Sequence, residues 1–129
     1  MRHHFFSLVT KNVEKLSEFY KAVLLAETKG INDLENYVEL FIDDFVFCLE
    51  STKSVEGRIG RPFNTFSEGS AIVEFEVDNV DEEYSRLKKL GIIPFTEPFD
   101  NPWGTRNFHF YDPDGNIVCI FTDMDKAGA

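Results

Sequence analysis

The chain has 129 residues, 43% of them hydrophobic, and its 13 Lys and Arg against 23 Asp and Glu leave a formal charge of −10. That length suits one domain with a real core, and the negative charge argues against nucleic acid and anionic membrane surfaces as partners. No apolar run nears the ~20 residues of a membrane span, nothing after His3 and His4 reads as a signal-peptide core, and Cys48 and Cys119 are too few for a disulfide framework, so a cytoplasmic protein is predicted.

In chain order, Phe5 to Thr10 alternates as a strand. Asn12 is placed to cap a helix whose apolar stripe is Val13, Leu16, Phe19, Tyr20, Val23 and Leu24. Tyr37 to Ile42 and Phe45 to Glu50 flank Asp43-Asp44, which predicts a tight hairpin. Ser51 to Ser70, with Gly57, Gly60, Pro62 and Gly69 among polar residues, reads as a connection.

Ala71 to Val77 alternates again, so Val73, Phe75 and Val77 are expected to face a covering helix and Ile72, Glu74 and Glu76 the opposite side. Asn79 repeats the cap with Glu82 three residues on. Val80, Tyr84, Leu87 and Leu90 form the next buried stripe, stopped by Gly91. A short strand is expected around Ile92 to Thr96. Phe108 to Tyr111 and Ile117 to Phe121 then flank Asp112-Pro113-Asp114-Gly115-Asn116, a hairpin loop by its Pro and Gly, and a three-residue loop would set His109 opposite Cys119. The tail from Asp123 is expected to fray.

The second half restates the first. Phe5 to Val13 corresponds to Ile72 to Val80, and Asp43 to Leu49 to Asp114 to Ile120, so Cys48 and Cys119 are repeat mates. Both copies run from a strand into an Asn-capped helix and then into a hairpin. Agreement of pattern, cap and order supports a duplicated module.

These paired modules, the NVEKLSEFY helix start and above all PWGTRNFHFYDPDGNIVCIF, from Pro102 to Phe121, resemble the vicinal oxygen chelate superfamily of glyoxalases, extradiol dioxygenases and bleomycin-resistance proteins. The resemblance implies an α+β fold of two βαβββ modules in a curled, cleft-bearing sheet: module 1 over residues 1–52, a connection over 53–70, module 2 over 71–123 and a tail over 124–129. It also implies a small-molecule ligand and a homodimer.

In metal-dependent members, His or Gln on the first strand and Glu on the last strand of each module hold one divalent ion. By position those sites fall here on Phe5, Cys48, Ile72 and Cys119. Hydrocarbon and thiol replace the expected nitrogen and oxygen donors. The reading that follows has no cofactor and binds a small organic molecule, aromatic or cationic, in the inter-module cleft. Two alternatives stay open: a metal-dependent lyase or dioxygenase with displaced ligands such as His3, Glu74 and His109, and a non-catalytic dimeric scaffold.

Candidate ligand-facing residues are Phe5, Ser7, Cys48, Ile72, Glu74, Trp103, Arg106, His109 and Cys119. Trp103 suits stacking or a subunit contact. Arg106 suits an anionic group or one of the many carboxylates. His109 suits acid–base work near neutral pH. The two cysteines suit either thiol chemistry or a small buried hydrophobe.

Overall fold

The structure, a computed structural model, describes residues 5–60, 62 and 71–127. The chain divides into two compact units, Met1–Gly69 and Ser70–Ala129.

In unit 1 the elements are β1 (Phe5–Thr10), α1 (Val13–Leu24), β2 (Glu27–Asp33), β3 (Tyr37–Ile42), β4 (Phe45–Ser51) and α2 (Thr52–Ile59). The sheet runs β1-β4-β3-β2, with β1 parallel to β4 and the other pairs antiparallel. Asn12 caps α1 by accepting the Lys15 N–H at 3.0 Å. The helix buries Val13, Leu16, Tyr20 and Val23, and Tyr20 meets the Phe47 ring edge-on at 4.9 Å. Phe6 lies 5.0 Å from Phe47, so even-numbered β1 residues and odd-numbered β4 residues make the helix-facing side. Burying one such ring contributes roughly 1.5–3 kcal/mol.

Ser17 sits in the same buried stripe, and its hydroxyl has no hydrogen-bond partner. An unsatisfied buried hydroxyl on a residue of modest helix propensity is a cost that alanine removes. Ser17→Ala is therefore expected to stabilise the protein by about 1 kcal/mol, seen as a rise of a few degrees in Tm.

Asp43 and Asp44 form the expected two-residue turn, with Asp43 at φ 51° and Ile42 paired to Phe45. Two features depart from expectation. Glu27–Asp33 forms an edge strand although its polar sequence has no alternation, because β3 supplies the ladder. Within the stretch read as a connection, Ser51 caps α2 by accepting the Ser54 N–H at 2.9 Å, Val55 is buried, and Gly60 ends the helix at φ 72°. Its apolar signal is too sparse to stand out in sequence.

Unit 2 repeats the plan with β5 (Ile72–Glu76), α3 (Val80–Lys89), β6 (Phe99–Asp100), β7 (Thr105–Tyr111), β8 (Ile117–Asp123) and α4 (Met124–Ala127). Its sheet order, β5-β8-β7-β6, again has a parallel first pair. Asn79 accepts the Glu82 N–H at 3.1 Å. Val80 and Leu87 are buried, and Tyr84 meets Phe108 edge-on at 5.2 Å. Val73 is buried and Phe75 half-buried, while Ile72, Glu74 and Glu76 are exposed, as the alternation predicts.

Three details differ. Leu90 is exposed rather than buried, because α3 ends at Lys89 and Gly91 turns the chain at φ 90°. The short strand forms at Phe99–Asp100, not at Ile92 to Thr96; Pro94 lacks the N–H a ladder needs, and that segment docks on β7 through the Phe95 N–H to His109 carbonyl bond of 2.9 Å. The hairpin loop spans residues 112–116 as the sequence predicts, and His109 pairs with Cys119. Beyond β8, where fraying is expected, α4 docks on the preceding loop through the Met124 N–H to Gly104 carbonyl bond of 2.9 Å.

Candidate functional site

Each sheet has a face turned away from its covering helix, α1 or α3, and strand parity decides what that open face carries. In unit 1 Ser7, Cys48 and Glu39 lie abreast on β1, β4 and β3. In unit 2 the corresponding row is Glu74, Cys119 and His109 on β5, β8 and β7. The duplication thus extends to the position of both thiols. Phe5 precedes Ser7 in β1 with its backbone opposite Val46; its side chain lies outside the described residues, as do His3 and His4.

The polar groups of unit 1 are engaged with one another. Tyr37 donates its hydroxyl to Cys48 Sγ at 3.2 Å. Burial pushes the Cys48 thiol and the Tyr37 phenol up from their ordinary values, so both hold their protons at neutral pH. Glu39 accepts the Ile31 N–H at 2.9 Å. One end of the face is covered by α2, whose Arg58 and Ser54 hold the buried Glu50 carboxylate at 2.9 and 2.8 Å.

By the parity of Glu39, unit 1 carries Tyr37 and Phe41 on its open face, and unit 2 differs in carrying a stacked set of rings there. Tyr111 stacks on Phe95 at 4.5 Å, Phe95 stacks on His109 at 5.8 Å, and Phe99 tilts against His109 at 5.9 Å. Phe95, Phe99 and Tyr111 keep 46%, 41% and 55% of their surface exposed. Together with His109 they form a ladder of four rings that the core does not fully bury. The exposed Glu74 and Glu76 stand two strands away, beyond β8.

The floor of this face is a hydrogen-bonded chain. Asn101 Nδ2 donates to Asn107 Oδ1 at 2.8 Å, and Asn107 Nδ2 lies 3.5 Å from Cys119 Sγ and 3.4 Å from His109 Nε2. Thr96 Oγ1 accepts the His109 backbone N–H at 2.8 Å and lies 3.0 Å from its Nδ1. Burial pushes the His109 imidazole down, opposed by the Glu74 carboxylate, and pushes the Cys119 thiol up. Both groups are therefore uncharged at neutral pH.

The remaining candidates stand apart. Arg106 is three residues from His109, so it points to the opposite face of β7. There it takes Asp81 of α3 in a two-pronged grip at 3.0 and 3.1 Å and Asp100 at 2.8 Å; it clamps structure rather than facing the ladder. Trp103 is 72% exposed on a tight turn closed by the Gly104 N–H to Asn101 carbonyl bond of 3.1 Å. Ile72 is on the open face but pairs with Ile117, one row from Cys119. Asn107 and Tyr111 share the parity of His109 and could have been read from it, whereas Phe95 and Phe99 reach the face through irregular chain that carries no periodic signal.

The donor set does not suit the divalent ion that the resemblance implies for metal-dependent members. Ile72 has no lone pair, both thiols are buried, and among the described residues no group of three or more His, Cys, Asp or Glu side chains could hold a metal. Low thiolate content and burial also make these cysteines poor nucleophiles. Neither is expected to react with iodoacetamide at pH 8 until the protein is unfolded in urea, with mass spectrometry counting adducts before and after.

A βαβββ unit occurring twice, each copy with a parallel first pair of strands and a helix on one face, defines a class of small duplicated α+β proteins. The chain belongs to the Glyoxalase/Bleomycin resistance protein/Dioxygenase superfamily, whose family model matches residues 2–120. It is 40% identical over 74 residues to a bleomycin resistance protein of Geobacillus stearothermophilus, a match covering 57% of this chain and just 56% of that relative. In fold it is similar to a glyoxalase/bleomycin resistance protein/dioxygenase from Nocardioides, with a TM-score of 0.77 at 22% identity over 97% of this chain and 86% of that one. It is also similar to a lactoylglutathione lyase from Agrobacterium tumefaciens, with a TM-score of 0.77 at 19% identity over 94% and 92% of the two chains. Among the described residues no helix is long and apolar enough to cross a membrane.

Proposed function

We propose that this protein binds a small, flat organic molecule on the open face of unit 2 without the help of a metal ion. The observation that carries the reading is the ladder Tyr111, Phe95, His109 and Phe99, in which three rings stay about half-exposed on a face that also carries Glu74 two strands away. Aromatic side chains normally bury their area; held half-exposed on a strand face, they suit a ligand with its own planar system. Glu74 and Glu76, together with the overall charge of −10, favour one that also carries positive charge. Sequestration of this kind requires shape, stacking and charge, and no reacting group. The similarity to a protein named for bleomycin resistance agrees with it. A homodimer belongs to the same reading, carried from the family resemblance alone, as does a cytoplasmic location, carried from the sequence alone.

The test is a thermal-shift screen of flat aromatic cations, bleomycin-type compounds and divalent metals, each with and without a chelator. At a hundredfold excess over Kd a ligand stabilises by about 2.7 kcal/mol. Stabilisation by flat cations that survives chelator supports the reading. Stabilisation by a divalent ion alone sinks it.

A further inference from the structure

Resting on that reading, we propose that Asn107 is the positioning residue of the ring ladder: aligned by Asn101, it fixes the plane and tautomer of His109 and so the face a ligand meets. Asn107 is nearly buried, at 9% exposure, and lies two residues from His109 on the same side of β7. An amide can be turned either way, and in the structure Asn101 and Asn107 are turned as a matched pair. The Asn101 Nδ2 donates to Thr105 Oγ1 at 3.1 Å and to Asn107 at 2.8 Å, so the atom it meets on Asn107 is the carbonyl oxygen. The Asn107 NH2 group then faces Cys119 Sγ and His109 Nε2.

A donor facing Nε2 requires a lone pair there, which leaves the ring proton on Nδ1. Thr96 Oγ1, 3.0 Å from Nδ1, accepts it on its second lone pair while the first takes the His109 backbone N–H. Both ring nitrogens are thereby held from opposite sides. Rotation of the imidazole about χ2 would break both bonds, and with them the 25° alignment of its plane to Phe95. The reverse tautomer would set Nε2–H against the Asn107 NH2, and turning the Asn107 amide to relieve it would set that NH2 against the one on Asn101. The placement of all four side chains is self-consistent, and its one competitor is the concerted reversal in which both amides turn, His109 Nε2–H donates to Asn107 Oδ1 and the Thr96 hydroxyl donates to Nδ1; the ring spectrum separates the two.

The experiment combines long-range 1H–15N spectra of the histidine rings with fluorescence titration of the planar cation ethidium, both at pH 7.5. The His109 signals are assigned by their loss in His109→Phe. Wild type is expected to show the proton on Nδ1. Asn107→Asp keeps the size and the acceptor for Asn101 but has no N–H for Nε2, so the proton is expected to move to Nε2. Asn107→Leu is expected to give a mixed ring signature and an ethidium Kd at least fivefold weaker, in a protein whose folding is checked by its melting transition.

Wild type with the proton on Nε2, or Asn107→Asp with an unchanged ring spectrum, overturns the assignment. A folded Asn107→Leu binding ethidium as wild type does overturns the positioning role. If wild type fails to bind ethidium while the tautomer switches in Asn107→Asp as expected, the assignment stands and the ligand-binding reading is what falls.

Discussion

Asp112→Ala is expected to destabilise the protein by about 3–4 kcal/mol, the sum of overlapping charged hydrogen bonds of roughly 1.5–3 kcal/mol each. The Asp112 carboxylate is nearly buried and accepts the backbone N–H groups of Asp114 and Asn116, both at 2.9 Å, and the Asn116 side-chain amide at 2.8 Å. Gly115, at φ 85°, lets the loop fold over that carboxylate. The effect reaches beyond the loop because Asn116 Oδ1 accepts the Ala71 N–H at 3.2 Å, and the Ile117 N–H bonds the Ala71 carbonyl at 3.1 Å. These contacts align β5 with β8. Losing the carboxylate strands three donors and loosens the first strand pair of unit 2. Asp112→Asn, which keeps one carbonyl oxygen, is expected to lose about half as much. Urea denaturation measures both, and an Asp112→Ala midpoint equal to wild type would mean that the loop closes without its carboxylate.

Phe95→Ala is expected to weaken binding of a flat cation such as ethidium by ten- to a hundredfold, corresponding to the roughly 1.5–3 kcal/mol of a ring's buried apolar surface. Phe95 is the middle of the ladder, stacked on Tyr111 at 4.5 Å and on His109 at 5.8 Å, so its loss splits the surface in two. It is also 46% exposed and lies outside regular structure. The cost to folding should therefore be small, below about 1 kcal/mol for a surface-exposed position. That separation is the useful part: titration should register a large change where thermal melting registers a minor one. Equal affinity of Phe95→Ala and wild type would take the ring ladder out of the ligand's path.

The elements with strong local chemistry were legible in the sequence. Asn12 and Asn79 announce helix starts because a short amide side chain can accept a first-turn N–H, and Asp43-Asp44 announces a turn because aspartate tolerates positive φ. Alternation placed Glu74, Cys119 and His109 on one face, and the internal repeat gave the pairing of thiols with corresponding rows. What was illegible depends on neighbours. The strand Glu27–Asp33 has no pattern of its own and is recruited by β3. The helix Thr52–Ile59 is held by a capping serine and by Arg58 reaching back to Glu50, contacts that require the fold to exist. Arg106 takes the carboxylate pairing of its two readings, and its spacing of three from His109 already assigns it to the other face of the strand. Phe95 and Phe99 are brought to the open face by irregular chain, and tertiary placement of that kind leaves no periodic trace.

The register between β2 and β3 shifts between Thr28 and Asn32, opposite Glu39, whose carboxylate takes the Ile31 N–H and sits where a side chain on Gly30 would have to go. An outer strand normally advertises a row of free amides to any passing extended peptide. Here that row is interrupted by a bulge and one amide is occupied from within. Chain-to-chain growth by strand addition is thus disfavoured along this rim of unit 1, and a methyl group at position 30 would displace the Glu39 carboxylate from the Ile31 amide while the bulge remains.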